Sequence, residues 1–279
     1  MLQINNFISQ QAVHPKISIV TPSYNQARFL ENTILSVLNQ NYPNLEYIII
    51  DGGSTDGSVN IIKKYEKYLT YWISEKDNGQ SHAIMKGFDR ASGDILGWLN
   101  SDDTLLPGTL MQVAQLFRED PDLALIYANI IYIDHNNRCV GERRFVPFKL
   151  TTLLTDCGIC QPATFWTKKF YTQTGGLNAN YAFCMDYDLF IRIAMAGKVK
   201  FIREFFAGVR LHSDTKTSNL HHIYLKERKE IRNKYYPYID NPVIFAVHRL
   251  YAQAYRFVSY VFQGDSNYLF RQIINRIKG

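Results

Sequence analysis

The chain has 279 residues, 46% of them hydrophobic and 20% charged, with a net charge of +6. That suits one large α/β domain with an appendage or two small ones, and it excludes a disordered, collagen-like or disulfide-scaffold protein. The charge is uneven: residues 1–219 carry 21 basic and 21 acidic residues, whereas residues 220–279 carry 10 and 4. A neutral body with a basic end argues against a nucleic-acid-binding body and points to a surface role for the end.

Taken in order, MLQINNFISQQAVHP lacks the charged head and apolar run of a signal peptide, and no run of roughly 18 apolar residues predicts a spanning helix. Lys16–Val20 alternates as a first strand and stops at Thr21-Pro22. Apolar residues from Phe29 to Leu38 recur at helical spacing behind Asn25, a candidate cap. Leu45–Ile50 is a second, almost wholly apolar strand, ending at the turn cluster Asp51–Ser58, which opens a helix over Val59–Tyr68. Tyr71–Ser74 is a third strand, Ser81–Ala91 a helix, and Leu96–Leu99 a fourth strand running into Asn100-Ser101-Asp102-Asp103.

Four β–α alternations in the first hundred residues predict a mostly parallel, Rossmann-like sheet with helices on both faces. Ligands of such sheets gather beyond the carboxyl ends of the strands. Each polar cluster stands at such an end: Thr21–Asn25, Asp51–Ser54, Glu75–Gln80 and Asn100–Asp103. Adjacent carboxylates are costly unless a cation or solvent meets them, and a hard divalent ion with substrate phosphates would serve Asp102 and Asp103.

Beyond residue 108 the pattern changes. Thr109–Phe117 is a helix, Ala124–Ile133 and Arg138–Val146 a hairpin, Gln161–Phe165 follows with no element assigned, Thr174–Leu177 is a loop, and Asp186 opens a helix through Ala196. Phe201–Leu211 is a late strand leading to His212–Ser218. From 220 onward the chain reads as helix. Val243, Val247, Leu250, Ala254, Phe257 and Val261 fall on one stripe, which suits a membrane surface, a dimer contact or packing on the body. Cys139, Cys157, Cys160 and Cys184 form no complete zinc signature, so reduced thiols and a cytoplasmic setting, peripheral on the inner membrane face where the tail engages it, are expected.

The ordered blocks ISIVTPSYNQARFLENTILSVLNQ, IIIDGGSTDGS, SEKDNGQSHAIMKGF, GWLNSDD and YAFCMDYDLFIRIA resemble the family 2 glycosyltransferases of the GT-A fold over roughly residues 16–215. The resemblance implies a catalytic domain over 16–219, with a nucleotide-binding half (16–105) and an acceptor half (106–219), between a lead (1–15) and a basic helical tail (220–279). It implies inverting transfer of a sugar from a nucleotide-diphosphate donor, expected to be a UDP-sugar, to a hydroxyl of a glycan or lipid-linked acceptor in polysaccharide or glycolipid synthesis. A divalent Mn²⁺ or Mg²⁺ would assist.

On that reading Asp186 is the general base, and Thr21, Pro22, Tyr24, Asp51, Asp77, Asn100 and Ser101 surround the nucleotide. Asp102, Asp103 and His212 serve the metal, with Gln161, Trp166, Asp188, Arg210 and Lys216 toward phosphate or acceptor. Two departures stand out: Asn100 occupies the place of the family's leading Asp, and Met185 the place of a frequent Glu. The alternatives are a nucleotide-sugar- or glycan-binding protein without catalysis, and a nucleotidyltransferase. The latter needs a glycine-rich basic loop, which Thr21–Arg28 lacks.

Overall fold

The computed structural model describes residues 14–155, 158–212 and 221–278. The first half is the predicted βα alternation. It runs β1 (Ile17–Ser23), α1 (Ala27–Leu38), β2 (Leu45–Asp51), α2 (Ser58–Tyr65), β3 (Tyr71–Ser74), α3 (Gln80–Arg90) and β4 (Ile95–Trp98). The second half runs β5 (Thr104–Leu105), α4 (Thr109–Glu119), β6 (Leu123–Ile133), β7 (Cys139–Arg143), α5 (Leu150–Thr155), β8 (Thr164–Thr167), α6 (Lys168–Gln173), α7 (Met185–Ala196) and β9 (Lys198–Arg210). Three helices follow: α8 (His221–Tyr235), α9 (Pro242–Phe262) and α10 (Ser266–Lys278).

Among the described residues these strands form one sheet in the order β3-β2-β1-β4-β8-β6-β9-β5, with β7 on β6. The parallel part is β3-β2-β1-β4, and β6 and β9 are also parallel. Strand β8 joins these two parts antiparallel to both neighbours, so the sheet is mixed. The sequence pattern assigns no element to Gln161–Phe165. The four residues Thr164–Thr167 are too few for a visible alternation, yet they occupy the middle of the sheet.

Every residue of β1 is buried, as a strand covered on both faces must be. Helix α3 lies close on it through Gly87, where a Cβ would stand 2.3 Å from Val20 Cγ1, so only glycine permits this approach. At the amino-terminal edge, buried Glu46 of β2 accepts from Ser18 of β1, from the Ser92 N–H and hydroxyl (2.7 Å each), and from Lys16 Nζ at 2.9 Å. Burial opposes its charge, but these hydrogen bonds win and hold its pKa down at about 2.

The carboxyl-terminal helices divide into two kinds. Ile231 of α8 is fully buried, and α8 packs on α7. Helix α9 packs on α5 through the face carrying Ala252 and Ser259, and Tyr255 and Tyr260 donate to the Pro147 and Arg144 carbonyls. The stripe Val243, Val247, Leu250, Phe257 and Val261 lies on the other face, 47–71% exposed. The expected boundary at residue 220 therefore separates α8 from a body it is built into.

Candidate active site

Parallel pairing sets Ser23 beside Asp51 and Asp51 beside Ser74, so the carboxyl ends of β1, β2 and β3 form one ledge. Asp51 is fully buried. Its Oδ2 accepts from the N–H groups of Gly53 (3.1 Å) and Ser54 (2.8 Å) and from Ser74 Oγ (2.6 Å), and Oδ1 accepts from Ser54 Oγ. The carboxylate thus shapes its own loop before it can meet a base. The next loop carboxylate, Asp56, accepts from the Ala27 N–H at 2.8 Å and caps α1, a role the sequence reading gave to Asn25. Asn25 adopts φ 51° and accepts instead from the Thr55 N–H.

Tyr24 is 63% exposed above this ledge. A Cβ on Gly52 would stand 2.9 Å from Asp77 Oδ2 and 3.3 Å from Tyr24 Cδ2. An aromatic ring, bare backbone and a carboxylate therefore border one slot, a shape and chemistry that suit a flat heterocycle with N–H groups on its edge. Asp77 Oδ1 also accepts from the Gly79 N–H, which orients the side chain at the start of α3. Gly52 was missed as a site residue because in sequence it is one more glycine in a turn cluster.

The β4–β5 loop is held from three sides. Thr33 of α1 donates to the Asp103 carbonyl at 2.7 Å. Buried Arg210 of β9 donates from its main-chain N–H to Asp103 Oδ1 (3.1 Å) and from Nε to the Asp102 carbonyl (2.8 Å). Asn100 accepts from Gln80 Nε2 at 2.8 Å and donates to Gln161 Oε1 and Asp103 Oδ2. With the backbone so fixed, Asp102 Oδ2 stands 3.0 Å from His212 Nε2, whose ring leans on Phe29. Asp103 is buried, and burial followed by the neighbouring Asp102 charge raises its pKa well above the carboxylate norm.

Asp186 is half-buried in the first turn of α7 and accepts from its own Tyr187 N–H at 2.7 Å. Burial pushes its pKa up to about 6, and the charge on Glu227 adds to the shift. Ser81, next to the Asn100 partner Gln80, donates to the Tyr181 carbonyl (2.9 Å) and touches Met185 Sδ. That contact joins the start of α7 to the β4–β5 loop, with Met185 filling the position read as a lost Glu.

Tyr24, Asp77, Asn100, Asp102, His212 and Asp186 thus lie at or are tied to one edge of the sheet. Other expectations are corrected. The Thr21 hydroxyl pairs with Tyr47 OH in the core, and Pro22 and Ser101 are buried, so of Thr21, Pro22 and Tyr24 it is Tyr24 that is open. Asp103 is buried, and its oxygens accept from the Arg210 N–H and from Asn100. Arg210 spends Nε, Nη1 and Nη2 on Asp102, Asp134 and Asn137, so it braces the loop instead of meeting phosphate.

Gln161 is buried and donates to the Trp98 carbonyl. Trp166 is fully buried against Phe88, Trp98 and Phe190 and faces no acceptor. Asp188 is fully buried between Arg192 and Tyr235. Lys216 lies outside the described residues, and among these no three His, Cys, Asp or Glu side chains cluster as a ready-made metal cage.

The profile of glycosyl transferase family 2 matches residues 18–193. The chain belongs to this family. It is 29% identical over 204 residues to a chondroitin synthase of Escherichia coli, covering 72% of this chain and 29% of that protein. It is 31% identical over 182 residues to a PGL/p-HBAD biosynthesis glycosyltransferase of Mycobacterium bovis, covering 64% and 69%. It thus spans under a third of the length of the chondroitin synthase.

Among solved structures, S. aureus TarS in complex with UDP-GlcNAc superposes with a TM-score of 0.63 at 16% identity, covering 73% of this chain and 61% of that one. The mannosyltransferase PcManGT of Pyrobaculum calidifontis, in complex with GDP-Man and Mn²⁺, gives 0.60 at 17% identity, covering 87% and 75%. These likenesses establish the GT-A-type fold. No helix among the described residues is long and apolar enough to cross a membrane.

Proposed function

We propose that this family 2 glycosyltransferase moves a sugar from a nucleotide-diphosphate donor to an acceptor hydroxyl with inversion at the anomeric carbon. The observation that carries the reading is the Asp102–His212 pair, 3.0 Å apart and at the same carboxyl-terminal side of the sheet as the Tyr24–Gly52–Asp77 slot. A carboxylate oxygen and an imidazole nitrogen suit Mn²⁺. The same two atoms, now within hydrogen-bond distance of each other, would hold a divalent ion. When bound, a divalent ion would neutralise the charge growing on the departing nucleoside diphosphate.

The chain's own residues supply the rest. Tyr24 and Asp77 hold the base. Asp186 takes the proton of the acceptor hydroxyl as its oxygen bonds to the anomeric carbon and the bond to the diphosphate breaks. A base with a pKa near 6 is ionised at neutral pH yet basic enough to assist. UDP as nucleotide is supported by the TarS complex, and a glycan or lipid-linked acceptor by the names of the relatives. Peripheral attachment to a cytoplasmic membrane face is supported by the exposed stripe of α9 within a segment that carries the whole net charge.

Thermal denaturation with UDP, GDP and their sugars, with and without Mn²⁺, tests the site. The native nucleotide raises Tm, Mn²⁺ enlarges the rise, and Asp102→Ala removes the enlargement. A Tm indifferent to every nucleotide would overturn the reading. For the tail, flotation with vesicles of phosphatidylserine and phosphatidylcholine should carry the full chain and not Val247→Asp/Leu250→Asp. A full chain that does not float, or that sediments as a dimer through this face, refutes the attachment.

A further inference from the structure

Glu227 lies on α8, about 40 residues beyond the segment it serves, and is buried. Its Oε1 accepts from the Ala182 N–H at 2.8 Å, and its Oε2 accepts from the Phe183 and Cys184 N–H groups at 2.9 Å each. These are the three residues immediately before α7, whose Cys184 N-cap offers no side-chain acceptor of its own. One carboxylate thus meets three successive main-chain N–H groups, and leaving such a donor unsatisfied costs about 1–3 kcal/mol where it is shielded from water. A carboxylate there also complements the positive end of the α7 dipole. Asp186 follows two residues later.

We propose that Glu227 is a positioning residue for Asp186: by clamping the 182–184 backbone it fixes the entry to α7 and hence where the Asp186 carboxylate stands, which makes α8 part of the active site. The inference rests on Asp186 being the base. A second tie, Tyr235 OH to Asp188 Oδ1 at 2.8 Å, fastens the same two helices without touching 182–184, and so provides a control.

The electrostatic surroundings make the placement measurable. From α8, the charge facing Asp186 is that of Glu227, and it raises the Asp186 pKa. On α7 itself, Asp188 is paired with Arg192 and Tyr235, with Lys234 of α8 at 3.8 Å. From α3, Ser81 brings a hydroxyl and no charge.

The test compares the full chain with Glu227→Gln, Glu227→Ala and Tyr235→Phe, each checked for folding by Tm. Amide hydrogen exchange over 182–187 and a carboxyl-carbon NMR titration of Asp186 are the readouts, and neither needs the substrate. In Glu227→Gln the 182–184 amides should exchange at least about tenfold faster. The Asp186 midpoint should fall from near 6 by about half a unit or more. Tyr235→Phe should lower Tm and leave that midpoint in place.

Should Glu227→Ala not fold, the isosteric Gln, which keeps one acceptor oxygen, still reports. Unchanged exchange and midpoint in Glu227→Gln, or an equal shift in Tyr235→Phe, overturns the proposal. Asp186→Asn separates the two readings. If it still transfers sugar, the base assignment fails while the measured placement stands. If it is inert while Glu227→Gln titrates as wild type, the positioning role alone fails.

Discussion

Arg210 and Asp102 are joined through the main chain: Arg210 Nε donates to the Asp102 carbonyl at 2.8 Å, which leaves the Asp102 carboxylate free to meet His212. The same arginine secures Asp103 through its own N–H, so one residue of β9 sets both halves of the acidic pair. One carboxylate is buried as a brace and the other is 22% exposed beside His212. That division solves the repulsion of two adjacent carboxylates by changing the surroundings of one of them.

Arg210→Lys should therefore behave as a loss of geometry. Lysine cannot reproduce three donors directed to Asp102, Asp134 and Asn137. The expected cost is about 2–4 kcal/mol of stability. Apparent Mn²⁺ affinity should weaken about tenfold or more, as for other changes in the support of a metal ligand. Denaturant unfolding and a Mn²⁺ titration of nucleotide-bound protein check the two separately. Intact Mn²⁺ affinity would mean that the loop holds its shape without the guanidinium.

Asp186 gives a pH dependence whose sign follows from its pKa, raised from 3.8 to about 6. A base works ionised, so the transfer rate should fall tenfold per pH unit below about 6. For stability, a carboxyl with a raised folded pKa binds its proton more tightly in the native state. It therefore costs stability above pH 6, and the cost fades as pH falls from 6 toward 4. Asp186→Asn should be inert yet more stable by about 1–3 kcal/mol at pH 8, with the gain vanishing near pH 4. Urea unfolding at the two pH values reads this directly.

The parallel half of the sheet and its four polar strand ends were legible because alternation and turn residues are local signals. Asp77, Asp102 and His212 were read from the resemblance to the family, and they stand in the loops after β3, β4 and β9. What sequence did not show depends on partners far along the chain. Strand β8 is a strand because β4 and β6 flank it, and Trp166 is core for that reason. Glu227 reads as one more charge on a polar helix until the 182–184 backbone is set against it. Arg210 looked like a phosphate ligand because sequence cannot show that its donors are already engaged.

Glu46 separates stability from activity. It lies at the amino-terminal edge of the sheet, opposite the site, and its folded pKa of about 2 is below the ordinary 4.5. Its contribution is present above pH 4.5 and is lost as pH falls toward 2. Glu46→Gln should cost about 2–3 kcal/mol at pH 7 and leave transfer per folded molecule unchanged. Calorimetry beside an activity assay at 20 °C checks both. A fall in rate without a fall in Tm would be inconsistent with a purely structural cluster.

Gly52 tests the slot. Its φ lies outside the left-handed region, so alanine fits the backbone without strain. The added Cβ would reach 2.9 Å from Asp77 Oδ2 and 3.3 Å from Tyr24, so the Asp77 carboxylate must shift to make room. Gly52→Ala should leave Tm within a degree or two, because the atom it meets is the far end of the Asp77 side chain, and should weaken nucleotide binding about tenfold by displacing that carboxylate. Gly52→Val should weaken it further. Asp77→Ala should also weaken binding, and in the double variant the Gly52→Ala penalty should shrink, since the carboxylate it crowds has gone. Calorimetric titration with the nucleotide found by thermal shift reads all three. Gly52→Ala binding with wild-type affinity would place the base elsewhere on the ledge.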